Sequence, residues 1–231
     1  MLLVSPAAGS AQEGVFTLQA GKILDGRGGV SSNTVIVVRG TRIARVGGTP
    51  EGRVYDLSSR TVMPGGIDTH AHPVWHFDAN GQFHTDTAET VTQTVLFAAE
   101  NAYRTLMGGI TTIQSVGDPR DRDLRDALAR GVLPGPRIVT SLGSITERTG
   151  SPPEIRQAVR EFKRRGADVV KIFASASIRD GGAPTLSQEQ LDAACGEARA
   201  LELRAVVHSH GPESTRRAVF VMKGGTIFRY W

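Results

Sequence analysis

The stretch that decides the fold is Val62-Met63-Pro64-Gly65-Gly66-Ile67-Asp68-Thr69-His70-Ala71-His72. A Pro-Gly-Gly turn leads into a short predicted strand that ends in two histidines. Side chains at positions i and i+2 of a strand point to the same face, so the imidazoles of His70 and His72 can reach one metal ion. A lone His-x-His pair also occurs as surface or core histidines, so the spacing permits a metal site without establishing one.

A similar ending recurs in Val206-Val207-His208-Ser209-His210-Gly211, where an apolar run again leads into histidines. The carboxyl ends of parallel strands meet at one edge of a β/α sheet, where barrel enzymes carry their active sites. Two such endings in one sheet favour a metal site. His210 lies beyond the apolar run, so an exposed loop position fits it better than it fits His208.

Lys171 interrupts Ala167-Asp168-Val169-Val170-Lys171-Ile172-Phe173, a pattern that is otherwise typical of a buried parallel strand. Burial of an ammonium group is costly unless the group is paired or neutralised. Two alternatives stay open. A neutral amine could take up carbon dioxide and form an anionic carbamate that bridges two metal ions, or the side chain could extend past the strand end into solvent.

The chain divides into two regions around the opening stretch. Residues 14–62 alternate short apolar segments with glycine-rich turns, which predicts a small antiparallel sheet. Residues 63–231 alternate strand-like and helix-like segments, which predicts a parallel sheet flanked by helices. Strands are expected near 67–71, 110–116, 137–142, 168–174, 204–209 and 226–228, and helices at 90–107, 121–130, 153–165, 187–201 and 213–222. An eight-unit β/α barrel takes about 250 residues, so a barrel over 63–231 would be incomplete.

Composition excludes several classes of protein. With 39% hydrophobic and 22% charged residues among 231, the chain is globular, and not disordered, collagenous or coiled-coil. The net charge is only +4, so we expect neither nucleic acid nor a membrane surface as a partner. No apolar stretch is long enough to predict a membrane-spanning helix. The single cysteine, Cys195, cannot form an internal disulfide.

The first residues, MLLVSPAAGSAQ, carry no charge and end in small side chains, as the end of a secretory signal does, but a basic segment is missing. Residues 1–13 are therefore either a signal-peptide remnant or an ordinary terminus. A remnant would place the protein in the periplasm or outside the cell, and an ordinary terminus would leave it cytoplasmic. In both cases these residues are excluded from the predicted fold.

These motifs, together with Gly108-Gly109-Ile110-Thr111-Thr112, resemble those of the metal-dependent amidohydrolase superfamily. More narrowly, they are similar to its imidazolonepropionase-like and prolidase-like members. The resemblance covers about residues 14–222. It implies an α/β fold, with a TIM-like (β/α)8 hydrolase barrel over 63–231 that is incomplete at five to six units. It also implies that residues 14–62 form part of a small composite β-sandwich.

The resemblance further implies a binuclear site, usually zinc, in which His70 and His72 bind the more buried ion. Carboxylated Lys171 would bridge the two ions, and His208 would bind the second. A hydroxide held by the metals would attack the carbonyl of a C–N bond. The implied substrates are small molecules: cyclic amides, N-acylated amino acids and dipeptides such as Xaa-Pro. Whether the protein forms a homo-oligomer stays open.

The chain also departs from the family pattern. Relatives carry a second histidine ligand at the end of strand six and an aspartate base after strand eight. Here Thr226-Ile227-Phe228-Arg229-Tyr230-Trp231 contains no histidine, and the aspartate would lie beyond the last residue, so no catalytic residue is assigned. In a barrel that ends after five units, the backbone donors and acceptors at the outer edges of the first and fifth barrel strands have no partner strand. We therefore expect the chain alone to be poorly stable and nearly inactive. Alternatives are a truncated fragment that binds metal without catalysis, or an unrelated protein in which these residues are accidental.

Other polar residues are expected to play smaller parts. His76 and His84 fall in a polar segment and are interpreted as loop residues. The loops at 73–89 and 144–153 would line a substrate pocket, because specificity resides in loops that follow the strands. Arg148 could bind a substrate carboxylate, but a solvated loop arginine is the better interpretation.

Overall fold

The computed structural model describes residues 14–78, 80–85, 89–218, 221–223 and 226–229. The predicted signal remnant at 1–13 lies outside these residues, as do Tyr230 and Trp231. The strands, in chain order, are β1 Val15–Leu24, β2 Val30–Arg39, β3 Arg42–Val46, β4 Arg53–Val62, β5 Gly66–Ala71, β6 His76–Phe77, β7 Phe83–His84, β8 Ile110–Ser115, β9 Arg137–Thr140, β10 Ser144–Ile145, β11 Val169–Phe173, β12 Arg204–His208, β13 Val221–Lys223 and β14 Thr226–Arg229. The α-helices are α1 Val91–Met107, α2 Asp121–Ala129, α3 Pro152–Arg164, α4 Gln188–Ala200 and α5 Pro212–Ala218.

The first four strands form one sheet in the order β3-β2-β1-β4. β2 pairs antiparallel with both β1 and β3, and Gly40 provides the positive φ of 56° at the tight turn between β2 and β3. β4 pairs parallel with β1, so the sheet is mixed and the prediction of a purely antiparallel sheet is wrong. Alternation of apolar residues indicates a strand but carries no information about its direction. A composite β-sandwich around this sheet stays a prediction.

From β5 onward the strands are parallel and alternate with helices, as the sequence predicts. They form two three-stranded sheets, β5-β8-β9 and β10-β11-β12. The backbone N–H of Asp168, just before β11, donates to the carbonyl of Thr140 at the end of β9, with an N–O distance of 2.8 Å. This bond joins the two sheets into one curved arc. Within the described residues no pairing joins β5 to β12, so the arc does not close into a barrel.

The predicted strand at 137–142 is shorter in the structure, where β9 ends at Thr140 and a further two-residue strand that was not predicted, β10, follows at Ser144–Ile145. The break lies at Leu142, which is fully buried and has a positive φ of 53°. A left-handed backbone conformation cannot continue a β-strand, and it is uncommon for a residue with a side chain. β9 therefore pairs with β8 while β10 pairs with β11.

The helices are stabilised at their starts and cover one face of the arc. Capping boxes begin α1 at Thr90 and α4 at Ser187, where the side chain of the residue three positions on bonds back to the cap. Two apolar clusters form the core. One lies between α3, α4 and the β10–β12 sheet, and the other joins α1 and α2 to β8 and β9. The strands are therefore held from the helical side.

The last part of the described chain differs from the prediction. A helix was expected at 213–222, but α5 ends at Ala218 and β13 follows at Val221–Lys223. β14 pairs antiparallel with β13, so Thr226–Arg229 does not extend the parallel sheet as a sixth strand. No helix among the residues described has the length and hydropathy needed to cross a membrane.

Candidate functional site

The predicted ligands come from three strands of the arc. His70 lies in β5 and His72 directly follows it, Lys171 lies in β11, and His208 is the last residue of β12. Because these strands are parallel, their carboxyl ends share one edge of the sheet. Curvature of the arc then brings side chains of β5 and β11 towards each other across its concave face.

Lys171 is completely buried, with no exposed side-chain surface. Its neighbours Val170 and Ile172 belong to the apolar cluster under α3 and α4, so alternation along β11 directs Lys171 to the opposite, concave face. Burial lowers the pKa of the Lys171 amine. Among the described residues no carboxylate lies within 4.0 Å of its Nζ, so the amine has no ion-pair partner there. The alternative that Lys171 extends into solvent is wrong.

The contact that links two of the predicted ligands joins Lys171 to His70. Their Nζ and Nε2 atoms are 3.4 Å apart, although the residues are 101 positions apart in sequence. The rings of His70 and His72 are 5.3 Å apart between centroids, as expected for side chains on one face of a strand. His70 is exposed at the open side of the arc, whereas His72 is half-buried.

The local environment favours the neutral form of the two histidines at the end of β5, His70 and His72. Burial, followed by the charges of His70 and Lys171, lowers the pKa of His72 to about 4. Burial and the charge of Lys171 lower the pKa of His70 as well. A neutral imidazole keeps the lone pair that a metal ion needs, so both side chains have the protonation state of ligands at neutral pH.

His208 lies beside the same group. The ring centroids of His208 and Phe173 are 5.0 Å apart. The Nζ of Lys171 lies 4.9 Å from the centroid of the same Phe173 ring. Burial and the charges of His210, Lys171 and His70 lower the pKa of His208. His210 is exposed and lies beyond the end of β12, as the loop interpretation predicts, and its ring centroid is 4.4 Å from that of His208.

Within the part of the chain that is described, no three His, Cys, Asp or Glu side chains lie close enough together to hold a metal ion by themselves. The predicted set comprises three imidazoles and one amine. Imidazole nitrogens are ordinary ligands of zinc, whereas a lysine becomes an oxygen donor only after carboxylation. By residue type, these side chains therefore suit a divalent metal ion once Lys171 carries an anionic group. The geometric support is the short distance between Lys171 Nζ and His70 Nε2.

Gln114 is a residue of the site that the sequence analysis missed. From β8 its Nε2 donates to the carbonyl of Thr69 at 2.8 Å, immediately before His70. Its Oε1 accepts a bond of 3.3 Å from Arg204 at the start of β12. Gln114 thus connects the strand of His70 with the strand of His208. The strand β8 has the sequence ITTIQS and is rich in polar residues, so the sequence did not distinguish Gln114 from its neighbours.

Asp118 was also missed. It follows β8, and its charge partly opposes the lowering of the His72 pKa. Arg120 donates to both carboxylate oxygens of Asp118, at 2.8 and 2.6 Å, and to the hydroxyl of Thr94 at 3.1 Å. The pair is mostly buried, so this negative charge is fixed beside His72.

His76 and His84 are not loop residues, and that interpretation is corrected. They pair across β6 and β7, a short antiparallel hairpin that follows β5. His76 is buried against Phe97 at 3.8 Å between ring centroids, and its Nε2 is 2.9 Å from Glu89. The segment is rich in polar residues, and its two-residue strands β6 and β7 are too short to show alternation of apolar and polar side chains. Arg148 is a solvated residue as predicted, with its side chain 91% exposed.

Comparison with known proteins agrees with this architecture. A dihydroorotase from Anaeromyxobacter dehalogenans (strain 2CP-C) is 27% identical over 205 residues, which is 84% of this chain and 41% of that protein. An imidazolonepropionase from Paenarthrobacter aurescens (strain TC1) is 26% identical over 174 residues, covering 72% of this chain and 38% of that one. The chain therefore spans less than half the length of these relatives.

Solved structures extend the likeness to the fold. The crystal structure of a Xaa-Pro dipeptidase with bound methionine superposes with a TM-score of 0.79 at 29% identity, over 89% of this chain and 59% of that chain. Residues 61–227, which include β5 to β12 and all four predicted ligands, match the model of the amidohydrolase family. A match over most of the chain, with the same fold, shows that this chain belongs to the amidohydrolase family.

Proposed function

We propose that this chain carries the metal-binding part of a hydrolase that cleaves C–N bonds in small amides. The observation that carries the proposal is the 3.4 Å approach of Lys171 Nζ to His70 Nε2 from two strands that do not pair with each other. A buried amine without a carboxylate partner among the described residues is costly for folding, so a structural role alone gives a poor account of it.

In the proposed site, Lys171 reacts with carbon dioxide. Its neutral amine forms a new N–C bond, releases one proton and becomes an anionic carbamate. Burial favours the neutral amine that this reaction needs. The carbamate, in turn, requires nearby positive charge in a buried position, because an unpaired buried anion is strongly disfavoured. Divalent metal ions held by the neighbouring histidines would satisfy that requirement.

The three histidines supply the remaining ligands. His70 and His72 would bind one ion and His208 a second, with carboxylated Lys171 between them. Two zinc ions bound there would polarise the amide carbonyl and supply a hydroxide nucleophile at neutral pH. Gln114 would keep His70 in place through the carbonyl of Thr69, and the fixed charge of Asp118 would orient His72.

The relatives indicate the range of substrates. Their names specify a dihydroorotase, an imidazolonepropionase and a Xaa-Pro dipeptidase. For this chain we propose a small amide of the same general kind, either cyclic or a dipeptide such as Xaa-Pro. Trp75, which belongs to the segment predicted to line the pocket, stacks on His72 and would form part of one wall of the pocket.

Elemental mass spectrometry of the purified chain tests the proposal. Protein expressed with bicarbonate is expected to hold about two divalent ions per chain, and His70→Ala and Lys171→Ala are expected to lose most of them. His84→Ala is the matched control, because His84 bonds to Asp78 in the hairpin and is not among the proposed ligands. Growth with ¹³C-bicarbonate should give a carbamate carbon signal in NMR spectra that is absent from Lys171→Ala.

Two results would contradict the proposal. One is an absence of divalent metal in the unaltered chain, and the other is equal metal content in His70→Ala. Metal without hydrolysis of any amide in a panel of cyclic amides and dipeptides would instead support the alternative of metal binding without catalysis.

A further inference from the structure

Three exposed aromatic side chains stand together beside the proposed site. Trp75, Phe77 and Phe83, here called the aromatic wall, are 39%, 67% and 49% exposed. The rings of Trp75 and Phe83 meet edge to face with centroids 5.8 Å apart, and those of Phe77 and Phe83 are 5.1 Å apart. Aromatic residues make up only 6% of this chain, so three exposed rings in mutual contact form an unusual surface.

The hairpin of β6 and β7 explains how these rings reach the surface. Successive side chains of a strand point to opposite faces. His76 is buried against Phe97, so the next residue, Phe77, faces outward. Phe77 pairs with Phe83 across the hairpin, which brings their rings together on that outer face. The buried histidine therefore determines that the phenylalanines are exposed.

Hydrogen bonds hold the aromatic wall in place before any ligand arrives. Asn101 of α1 donates from Nδ2 to the carbonyl of Pro73 at 2.9 Å and to that of Trp75 at 2.8 Å. Asp78 accepts from the backbone N–H of Asn80 and of Gln82 through one carboxylate oxygen, at 2.8 Å each, within the hairpin turn. A preformed surface loses little conformational entropy when it binds.

The aromatic wall is continuous with the proposed metal site. The indole of Trp75 stacks on the imidazole of His72, with ring centroids 3.8 Å apart and planes 10° apart. A group bound at His72 therefore has an apolar surface within reach on the side of the hairpin. Ligand sites in proteins commonly combine such aromatic surfaces with a small number of placed polar groups.

We propose that the aromatic wall binds a bulky apolar side chain of the substrate, so that the preferred amides carry an aromatic or large aliphatic group next to the C–N bond. This inference rests on the proposed function, since it assigns the substrate class for the same site. Phe77 and Phe83 are specificity-determining residues in this scheme. Burial of a phenyl group against rings removes apolar surface from water, and edge-to-face contact adds to that gain.

The test compares two ligands that differ only in the side chain, N-acetyl-L-phenylalanine and N-acetyl-L-alanine. Dissociation constants are measured by ligand-observed NMR titration of the full chain in zinc- and bicarbonate-containing buffer. The unaltered protein is expected to bind the phenylalanine compound about tenfold more tightly, at the low end of discrimination by hydrophobic sites. The double variant Phe77→Ser with Phe83→Ser should reduce this preference to less than about twofold.

Tyr103→Ser is the matched control, because Tyr103 is an aromatic residue, 47% exposed, on α1. It should retain the tenfold preference. A measurement that needs no variant is the nuclear Overhauser effect between the ligand phenyl protons and the ring protons of Phe77 and Phe83. Equal affinity for the two compounds, an unchanged preference in the double variant, or absence of these Overhauser effects would overturn the proposal.

Outcomes for the two proposals can be told apart. The protein could prefer the phenylalanine compound through the aromatic wall and yet hold no metal and hydrolyse no amide. That result would support binding of apolar side chains by the aromatic wall and would contradict the proposed function. Metal binding that depends on His70, without any preference between the two compounds, would be consistent with the proposed function and would contradict side-chain binding by the aromatic wall.

Discussion

Asp121 offers a quantitative test of how the arc is held together. This first residue of α2 is completely buried, and its Oδ2 accepts a bond of 2.8 Å from the hydroxyl of Thr140 at the end of β9. Among the residues that the structure describes, its Oδ1 accepts no bond of ordinary geometry and the hydroxyl of Ser141 has no hydrogen-bond partner. Burial, partly offset by the hydroxyls of Ser115 and Thr140, raises the pKa of Asp121 from 3.8 to about 6.

The sign and size of the effect follow from proton linkage. Between about pH 4 and pH 6 the unfolded chain has released the Asp121 proton while the folded chain keeps it, so the free energy of unfolding falls as the pH rises. Stability associated with this group is fully present below pH 4 and is lost as the pH passes 6. At 1.36 kcal/mol per pKa unit, the rise from 3.8 to about 6 corresponds to about 3 kcal/mol.

Asp121→Asn removes the ionisation while keeping the shape of the side chain, and its amide oxygen can still accept the bond from the hydroxyl of Thr140. We expect the difference in free energy of unfolding between the variant and the unaltered chain to shift in favour of the variant, by up to about 3 kcal/mol between pH 4 and pH 7. Urea denaturation followed by circular dichroism, with chelator present throughout, measures this difference at each pH.

Asp123→Asn is the control for loss of one negative charge in the first turn of α2, because Asp123 is exposed on the same helix. It should show no comparable shift between pH 4 and pH 7. A difference between Asp121→Asn and the unaltered chain that stays constant over this range would refute the reasoning, since the carboxyl would then titrate alike in the folded and unfolded chains.

Two further predictions concern single side chains. Gln114→Leu should lower the free energy of unfolding by about 1–3 kcal/mol, because the carbonyl of Thr69 and the guanidinium of Arg204 lose their shared partner. Urea denaturation measures this loss, and an unchanged denaturation midpoint would contradict the prediction. Arg148→Ala should change stability by less than about 0.5 kcal/mol and leave ligand affinity unaltered, because the side chain is 91% exposed. A loss of affinity in the NMR titration would show instead that Arg148 binds the substrate carboxylate.

Much of the fold could be predicted because its signals are local. The rhythm of apolar segments predicted the parallel strands β5, β8, β9, β11 and β12 but not the two-residue β10, and Ser187 with Gln190 predicted the start of α4. Pairing is not local, so the parallel contact of β4 with β1 could not be predicted from alternation. The left-handed conformation of Leu142 was equally hidden, because leucine has no intrinsic preference for it.

The candidate site divides in the same way. Residue type and spacing marked His70, His72, Lys171 and His208, since chemistry and strand position can both be recognised in the sequence. The partners that hold them were not marked. Gln114 and Asn101 act through hydrogen bonds to backbone carbonyls, and such bonds depend on where two segments meet. The hairpin of β6 and β7 was missed because two-residue strands show no periodicity.

The sequence by itself determined that this chain is an α/β protein with paired histidines at strand ends and a lysine within an apolar strand, because these properties depend on residue type and order. Only the tertiary structure decided that Lys171 meets His70 and that Trp75 stacks on His72. The physical reason is that curvature of the arc and packing against the helices set the distances between strands far apart in sequence. Those distances depend on the whole chain, and no local pattern encodes them.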